Sequence, residues 1–435
     1  MARLTERFYW RIILKMLDVK LINSLACEHG TPLYIFDKAV LRRRVDKIRE
    51  ILGSEITLCF AMKANPFLVD CFKELNTRFE VCSPGEFAIC EREHVNMHDI
   101  VLSGVNKEKA DIEHVMDDCG GVGIYTVESV EQFNLLSQCA DERGTVIDVL
   151  LRVTSGNQFG LDESDLERIV KDRDEYKSVN IRGIQCYSGT QKKKIQVISE
   201  ELKWLDDICN RLYEKYGFKT EELEYGPGLP YNYFGTESYD NNFDFLKELS
   251  EELNPLKERY SIALEMGRFL VSECGMYVTS VADIKVNRNQ NYVIVDGGIN
   301  HINYYGQTMA MKVPAYSYVK HDGTVIKDTD KYSVLTGGDH ERWTVCGSLC
   351  TVADVVVKNL PIGTPDMRDK IIFYNIGAYS VTEGIYLFLS RKMPKIIAID
   401  YDISNEKIPD VNDIKIETYR EIVHTDRINS RIDVF

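Results

Sequence analysis

Lys63 closes the apolar, β-favouring run Ile56-Thr57-Leu58-Cys59-Phe60, in the stretch Phe60-Ala61-Met62-Lys63-Ala64-Asn65-Pro66. A lysine where a strand leaves a core loses water from its ammonium, which lowers its pKa. Such an amine forms Schiff bases and can hold a carbonyl compound. Glu265-Met266-Gly267-Arg268 sets an acid able to meet a cationic group beside an arginine able to clamp a phosphate. In Gly226-Pro227-Gly228 two glycines let the backbone approach an anion, although Pro227 removes a donor. Cys186-Tyr187-Ser188-Gly189-Thr190-Gln191 offers an aromatic ring for stacking and a hydroxyl for a phosphate oxygen. Further on, Cys350 is a proton donor by type, and Tyr379 a phosphate ligand.

Taken one at a time, each feature has a plain alternative. Lysines after strands are commonly solvated, and an acid near an arginine is commonly a structural ion pair. Gly-Pro-Gly is also a tight turn, and Tyr187, Cys350 and Tyr379 also suit core packing. Lys192-Lys193-Lys194 reads as a solvated face or as a docking patch for an acidic partner. The order in which these residues meet the elements decides between the readings.

Those elements alternate. Strand-like runs at 31–37, 56–60, 79–83, 100–104, 123–126, 146–153, 181–186, 223–226 and 261–265 are separated by helical patterns. One helix is marked by Ile198, Leu202, Leu205, Cys209 and Leu212 on one face, with Gly217 as its stop. Eight or nine strand–helix repeats predict an α/β fold, a closed (β/α)8 barrel over residues 31–270, preceded by an N-terminal segment, 1–30, packing with the region after the barrel. Catalytic groups of such barrels lie at the C-terminal strand ends. Lys63, Glu80, Ser103, Thr190, Gly226 and Glu265 all fall there. From 271 to 435 the β-rich runs lack intervening helices, which predicts an antiparallel β-domain. The polar stretch Lys320 to Lys331 reads as an exposed loop.

Composition narrows the classes. Of 435 residues, 53 are basic and 68 acidic, a formal charge of −15 that argues against nucleic-acid or anionic-membrane binding. The twelve cysteines make no Cys-x-x-Cys pair, and the histidines show no metal-binding spacing, so no metal site is expected. The cysteines in apolar runs read as core hydrophobes in a reducing compartment. Arg3, Arg7 and Arg11 flank an apolar run too short for a signal segment, and no 18-residue apolar run occurs. The expected location is the cytoplasm.

Together the motifs resemble the fold type III pyridoxal-phosphate decarboxylases, the ornithine/diaminopimelate decarboxylase family, in that family's order over roughly residues 30–390. The resemblance implies an alanine racemase-like barrel with a C-terminal β-domain, pyridoxal 5'-phosphate as cofactor, and a homodimer with shared active sites. Lys63 resembles the lysine that forms the aldimine, and Glu80 an acid near the cofactor. Tyr187 stands where the family has a ring-stacking histidine. Thr190, Gly228, Arg268 and Tyr379 resemble the phosphate-side residues, and Glu265 the acid facing the pyridine nitrogen. Cys350 resembles the proton donor supplied by the partner subunit. The implied reaction is decarboxylation of an amino acid or derivative, the substrate amine displacing Lys63 to give an external aldimine. A racemase and a non-catalytic partner-binding homologue are the alternatives. Glu265 and Cys350 count against the racemase, and retention of Lys63 and Cys350 against the second.

Four positions depart from the family pattern. The phosphate loop is Gly-Pro-Gly in place of three glycines, Tyr187 replaces histidine, and the segment between Arg152 and Gln158-Phe159-Gly160 is short. Thr351 stands where an acid meets a distal ammonium in the ornithine and diaminopimelate enzymes. A threonine cannot make that pair, which points to a modified substrate, carrier-protein-bound or siderophore-type.

Overall fold

The structure is a computed structural model that describes residues 17–234, 243–327, 341–402, 409 and 411–419. Arg3, Arg7, Arg11 and residues 328–331 of the polar segment lie outside the described residues. The chain forms two compact units, Val45–Tyr231 with Asn242–Leu270, and Met1–Arg44 with Asn232–Asn241 and Val271–Phe435.

Strand β1 spans Leu33–Asp37. The first unit is built on eight further strands: β2 Ile56–Ala61, β3 Arg78–Val81, β4 Ile100–Leu102, β5 Ile124–Val127, β6 Ile147–Arg152, β7 Val179–Tyr187, β8 Glu222–Gly226 and β9 Ser261–Met266. All neighbours are parallel, and β9 pairs back to β2 with Cys59 opposite Glu265, closing a (β/α)8 barrel. The strands are largely buried on both faces, as in a sheet covered by helices outside and side chains inside. Cys59, Val101, Ile124 and Leu150 form one packed cluster of it. The helix Ile195–Tyr216 buries Ile198, Leu202, Leu205, Ile208, Cys209 and Leu212 and ends at Gly217 in the left-handed conformation, φ +62°.

The first strand is a correction. The run 31–37, expected to open the barrel, supplies β1 to the sheet of the second unit, so the barrel starts at Ile56. β1 pairs antiparallel with β10 (Gly275–Asn287) and parallel with β17 (Lys395–Asp400). All five of its residues are buried, so its composition resembles that of a barrel strand. Only long-range pairing separates the two fates.

The second unit holds a sheet in the order β13-β12-β16-β10-β1-β17-β18, with β12 Tyr316–Val319, β13 Val325–Lys327, β16 Lys370–Tyr374 and β18 Lys415–Tyr419. Most of its pairs are antiparallel. Within the segment Lys320 to Lys331, expected to be an exposed loop, Val325–Lys327 forms β13, which pairs back onto β12 as a hairpin. A side branch joins β10 to β11 (Gln290–Val295), then β14 (Arg342–Cys346) and β15 (Val355–Pro361). The helix Val19–His29 packs Val19, Leu21, Ile22, Leu25 and Ala26 into one core with Leu33, Ile35, Met276, Val278, Ile372 and Ile397. Arg44 and Glu273 form a fully buried ion pair in this unit, at 3.0 Å.

Candidate active site

The barrel's C-terminal strand ends gather a charged cluster. Lys63 follows β2 in a single 3-10 turn, Met62–Ala64, held by Asn65, whose amide donates to the Met62 carbonyl. Its Nζ donates to Oε2 of Glu80 at 2.7 Å and lies 3.5 Å from Oε1 of Glu265. The expected desolvation is not what positions this amine. The Lys63 side chain is 38% exposed, and two buried carboxylates hold it. Cys82 Sγ donates to Oε1 of Glu80 at 3.1 Å and is 3.8 Å from Lys63 Nζ.

The two acids differ. Burial raises both, but the Lys63 ammonium and hydrogen bonds from Lys63, Glu265 and Cys82 outweigh it at Glu80, which is held below the usual range. Glu265 is pushed up to about 7 by burial and by the charge of Glu80, against the pull of Lys63. Glu265 therefore keeps the proton that it shares with Glu80. Its second oxygen accepts from Nε2 of Gln185 at 3.0 Å. Gln185 was not singled out by the sequence, where nothing distinguishes it from any polar residue in a strand. Nor were Arg152 and Glu128 as a pair, yet they form a buried ion pair at 2.9 Å.

The loops that follow β7 and β8 cross at the same barrel end. Gly228 has φ +58°, and a Cβ there would stand 2.0 Å from the Gly189 carbonyl oxygen, so only glycine lets the two loops cross. The Lys192 amide donates to the Gly228 carbonyl at 2.9 Å, and the Gln191 side-chain amide donates to the Tyr231 carbonyl at 3.0 Å. Arg268 Nε donates to Thr190 Oγ1 at 3.4 Å. Tyr187 lies against Gly226, where a Cβ would meet its ring at 2.5 Å. Thus Lys63, Glu80, Tyr187, Thr190, Gly228, Glu265 and Arg268 belong to one unit and one barrel end.

Lys192 is a correction to the docking-patch reading. Its side chain is only 8% exposed; it pairs with Glu201 at 2.6 Å and lies over the Tyr225 ring. Of the lysine run, only Lys193 and Lys194 remain outside.

Cys350, Thr351 and Tyr379 sit in the second unit. Cys350 is exposed on the loop after β14. That loop is tied by Asp354, which accepts from the Ile299 and Leu349 amides at 2.9 and 2.7 Å. Tyr379 adopts φ +64° in the turn after β16, and its carbonyl accepts from the Glu383 amide at 2.8 Å. Seven of the twelve cysteines are buried, in keeping with their apolar surroundings. Tertiary contacts also bring together ligand-type side chains that no spacing announced, Glu91 with His114 and Cys119, and His321 with Asp366 and Asp369. No helix among the described residues is long and apolar enough to cross a membrane.

A parallel barrel with a lysine held between two acids at its C-terminal strand ends has the groups of an enzyme site that binds a carbonyl compound. The sequence matches the family described as "Pyridoxal-dependent decarboxylase, pyridoxal binding domain" over residues 38–272, and the chain belongs to that family. It is 25% identical over 403 residues to L-glutamyl-[BtrI acyl-carrier protein] decarboxylase of Niallia circulans, covering 87% of this chain and 91% of that one. It is likewise 25% identical over 401 residues to diaminopimelate decarboxylase of Haemophilus influenzae, covering 88% and 91%. In fold it is similar to diaminopimelate decarboxylase from M. jannaschii in co-complex with L-lysine, with TM-score 0.77 and 22% identity over 94% of both chains.

The cofactor of this family is pyridoxal 5'-phosphate, and the residues present fit it. The crossing at Gly228 leaves the Gly189 side open, since a Cβ at Gly189 would meet nothing within 4 Å. Thr190 and the buried Arg268 supply a hydroxyl and a cation beside it, a donor set suited to a phosphate. Lys63 would supply the amine for its carbonyl, and Glu265 a carboxyl for its ring nitrogen.

Proposed function

We propose that this decarboxylase acts on an amino-acid derivative whose side chain carries no free distal ammonium, presented on a carrier protein or as a siderophore-type intermediate. The observation that carries this is Thr351 next to Cys350, a neutral hydroxyl where an acid would be needed to bind a distal ammonium. The 25% identity to a decarboxylase named for a carrier-bound glutamyl group supports it.

In this reading Lys63 holds the cofactor's carbonyl carbon, and Thr190, Gly228, Arg268 and Tyr379 hold its phosphate. Tyr187 covers the ring face, a stacking role that needs no positive charge. When bound, pyridoxal 5'-phosphate accepts the electron pair left by loss of CO2. Glu265 would meet the ring nitrogen and hold a proton at that atom. Glu80 balances the Lys63 ammonium, so the amine is oriented before the cofactor arrives. Cys350, supplied by a second copy in a homodimer, delivers the proton to the α-carbon, with Lys63 assisting.

The test is CO2 release from purified protein loaded with pyridoxal 5'-phosphate, across free and carrier-bound amino acids. Preference for substrates without a distal ammonium is expected. Efficient turnover of free ornithine, lysine or diaminopimelate would refute the substrate reading. Lys63→Ala is expected to abolish both CO2 release and the cofactor's visible band. Chirality scrambled without CO2 release would refute decarboxylation.

A further inference from the structure

Behind the two carboxylates at Lys63 stands a third acid that the reaction above does not use. Glu224, in β8, is fully buried, and neither carboxyl oxygen has a hydrogen-bond partner among the described residues. The same holds for Oε1 of Gln185, on β7. The strands are parallel, with Gln185 opposite Glu224 and Glu224 opposite Ala263. Side chains opposite one another in adjacent strands leave the sheet on the same face, as do residues two apart in one strand. Gln185, Glu224, Ala263 and Glu265 therefore share a face. That face is the barrel interior, because Gln185 Nε2 reaches Glu265 and Glu265 reaches Lys63 from it.

We propose that the Glu224 carboxyl group donates a hydrogen bond to Oε1 of Gln185, directly or through one buried water, and so holds the Gln185 amide with its N–H toward Glu265. Glu224 is then a positioning residue, acting through Gln185. An amide has a donor end and an acceptor end. Reversed, Gln185 would set its carbonyl oxygen against Glu265 and lose the 3.0 Å bond. The groups around Glu224 leave it an O–H to give. Burial raises it well above the carboxylate range, Glu265, Glu222 and Glu80 raise it further, and Arg78 opposes them only weakly, being paired with Glu222. Left apart, the buried acid and the amide oxygen would each go unsatisfied, which proteins rarely tolerate. Turned together, they satisfy each other. The inference rests on the reading that Glu265 serves the cofactor's ring nitrogen.

Two substitutions in the holoenzyme separate the possibilities. Glu224→Gln keeps a donor for Gln185; Glu224→Leu removes it. With Glu224→Leu, kcat is expected to fall up to about tenfold, the value of one lost hydrogen bond. KM should change less than about twofold. The pH at which the bound cofactor's visible spectrum changes should shift. Glu224→Gln should match the wild type in all three. Gln185→Leu should reproduce the kcat loss and the spectral shift, and adding Glu224→Leu to it should cost nothing more. Should Glu224→Leu fail to fold, Gln185→Leu carries the same expectation alone. Equal impairment in Glu224→Gln and Glu224→Leu would overturn the proposal. So would a Glu224→Leu or Gln185→Leu enzyme with unchanged kcat and spectrum, or additive losses in the double variant. A wild-type protein that binds no pyridoxal 5'-phosphate would instead refute the proposed function, before any variant is compared.

Discussion

Gly228→Ala is the sharpest test of the proposal that the loops crossing at Gly228 shape a phosphate site. At φ +58° any side chain pays the cost of the left-handed region, about 1 kcal/mol. The added methyl would also stand 2.0 Å from the Gly189 carbonyl oxygen and 3.2 Å from the Thr190 Cα. The obstacle is backbone, so it cannot swing aside as a side chain would. The loop carrying Thr190 must move by more than an ångström, breaking the 2.9 Å hydrogen bond from the Lys192 amide to the Gly228 carbonyl. That bond is worth about 1 kcal/mol, and the forced loop about 1 kcal/mol more. The sum, about 3 kcal/mol, is roughly a hundredfold in affinity if it falls on the bound state. The assay is titration of the apoprotein with pyridoxal 5'-phosphate, followed by absorbance. Gly217→Ala is the matched control: its φ is +62°, but a Cβ there meets nothing within 4 Å. It should cost about 1 kcal/mol of stability and leave cofactor affinity unchanged. If Gly228→Ala bound the cofactor within about threefold of wild type, the crossing of the two loops would not be what holds the phosphate.

Three other outcomes follow from the same geometry. Glu224 has a raised pKa in the folded chain, so the folded state holds its proton more tightly than the unfolded one. Its contribution to stability is full below the unfolded value, near pH 4, and declines as pH rises, so Glu224→Gln should gain stability over wild type progressively as pH rises above that value in thermal melts of the apoprotein. A gap that stays constant with pH would count against a buried neutral acid. Arg44→Met should destabilise by about 3–5 kcal/mol in denaturant unfolding, because it removes the cation that faces the buried Glu273 carboxylate; Arg44→Met with Glu273→Leu should recover most of the loss. Cys350→Ala should keep the cofactor's visible band while lowering kcat at least about tenfold, and unchanged turnover would remove the thiol from the proton-transfer step.

Much of this site was legible in the chain because barrel chemistry has an address. Once alternation marks the strands, the residues that end them are the candidates, and Lys63, Glu80, Thr190, Glu265 and Arg268 all lie where that rule looks. The left-handed Gly228 was legible as a glycine between turn residues. Three things were not. Leu33–Asp37 has the composition of a barrel strand, and only its pairing with β10 and β17 places it in the other sheet. Lys192 reads as one of three surface lysines, and only the helix bearing Glu201 buries it. Gln185 and Glu224 look like two polar residues in separate strands.

The sequence by itself determined which side chains could hold an amine-reactive, phosphate-bearing cofactor, since that depends on residue type and on local strand-end position. Its Thr351 is also the residue from which the proposed substrate class is argued. Tertiary structure decided how the charges are balanced. Glu80 is pulled down and Glu265 pushed up because three groups 17 to 202 residues apart share one buried space around Lys63. Electrostatic coupling depends on distance in space and on exclusion of water, and neither is written in the spacing of residues along the chain.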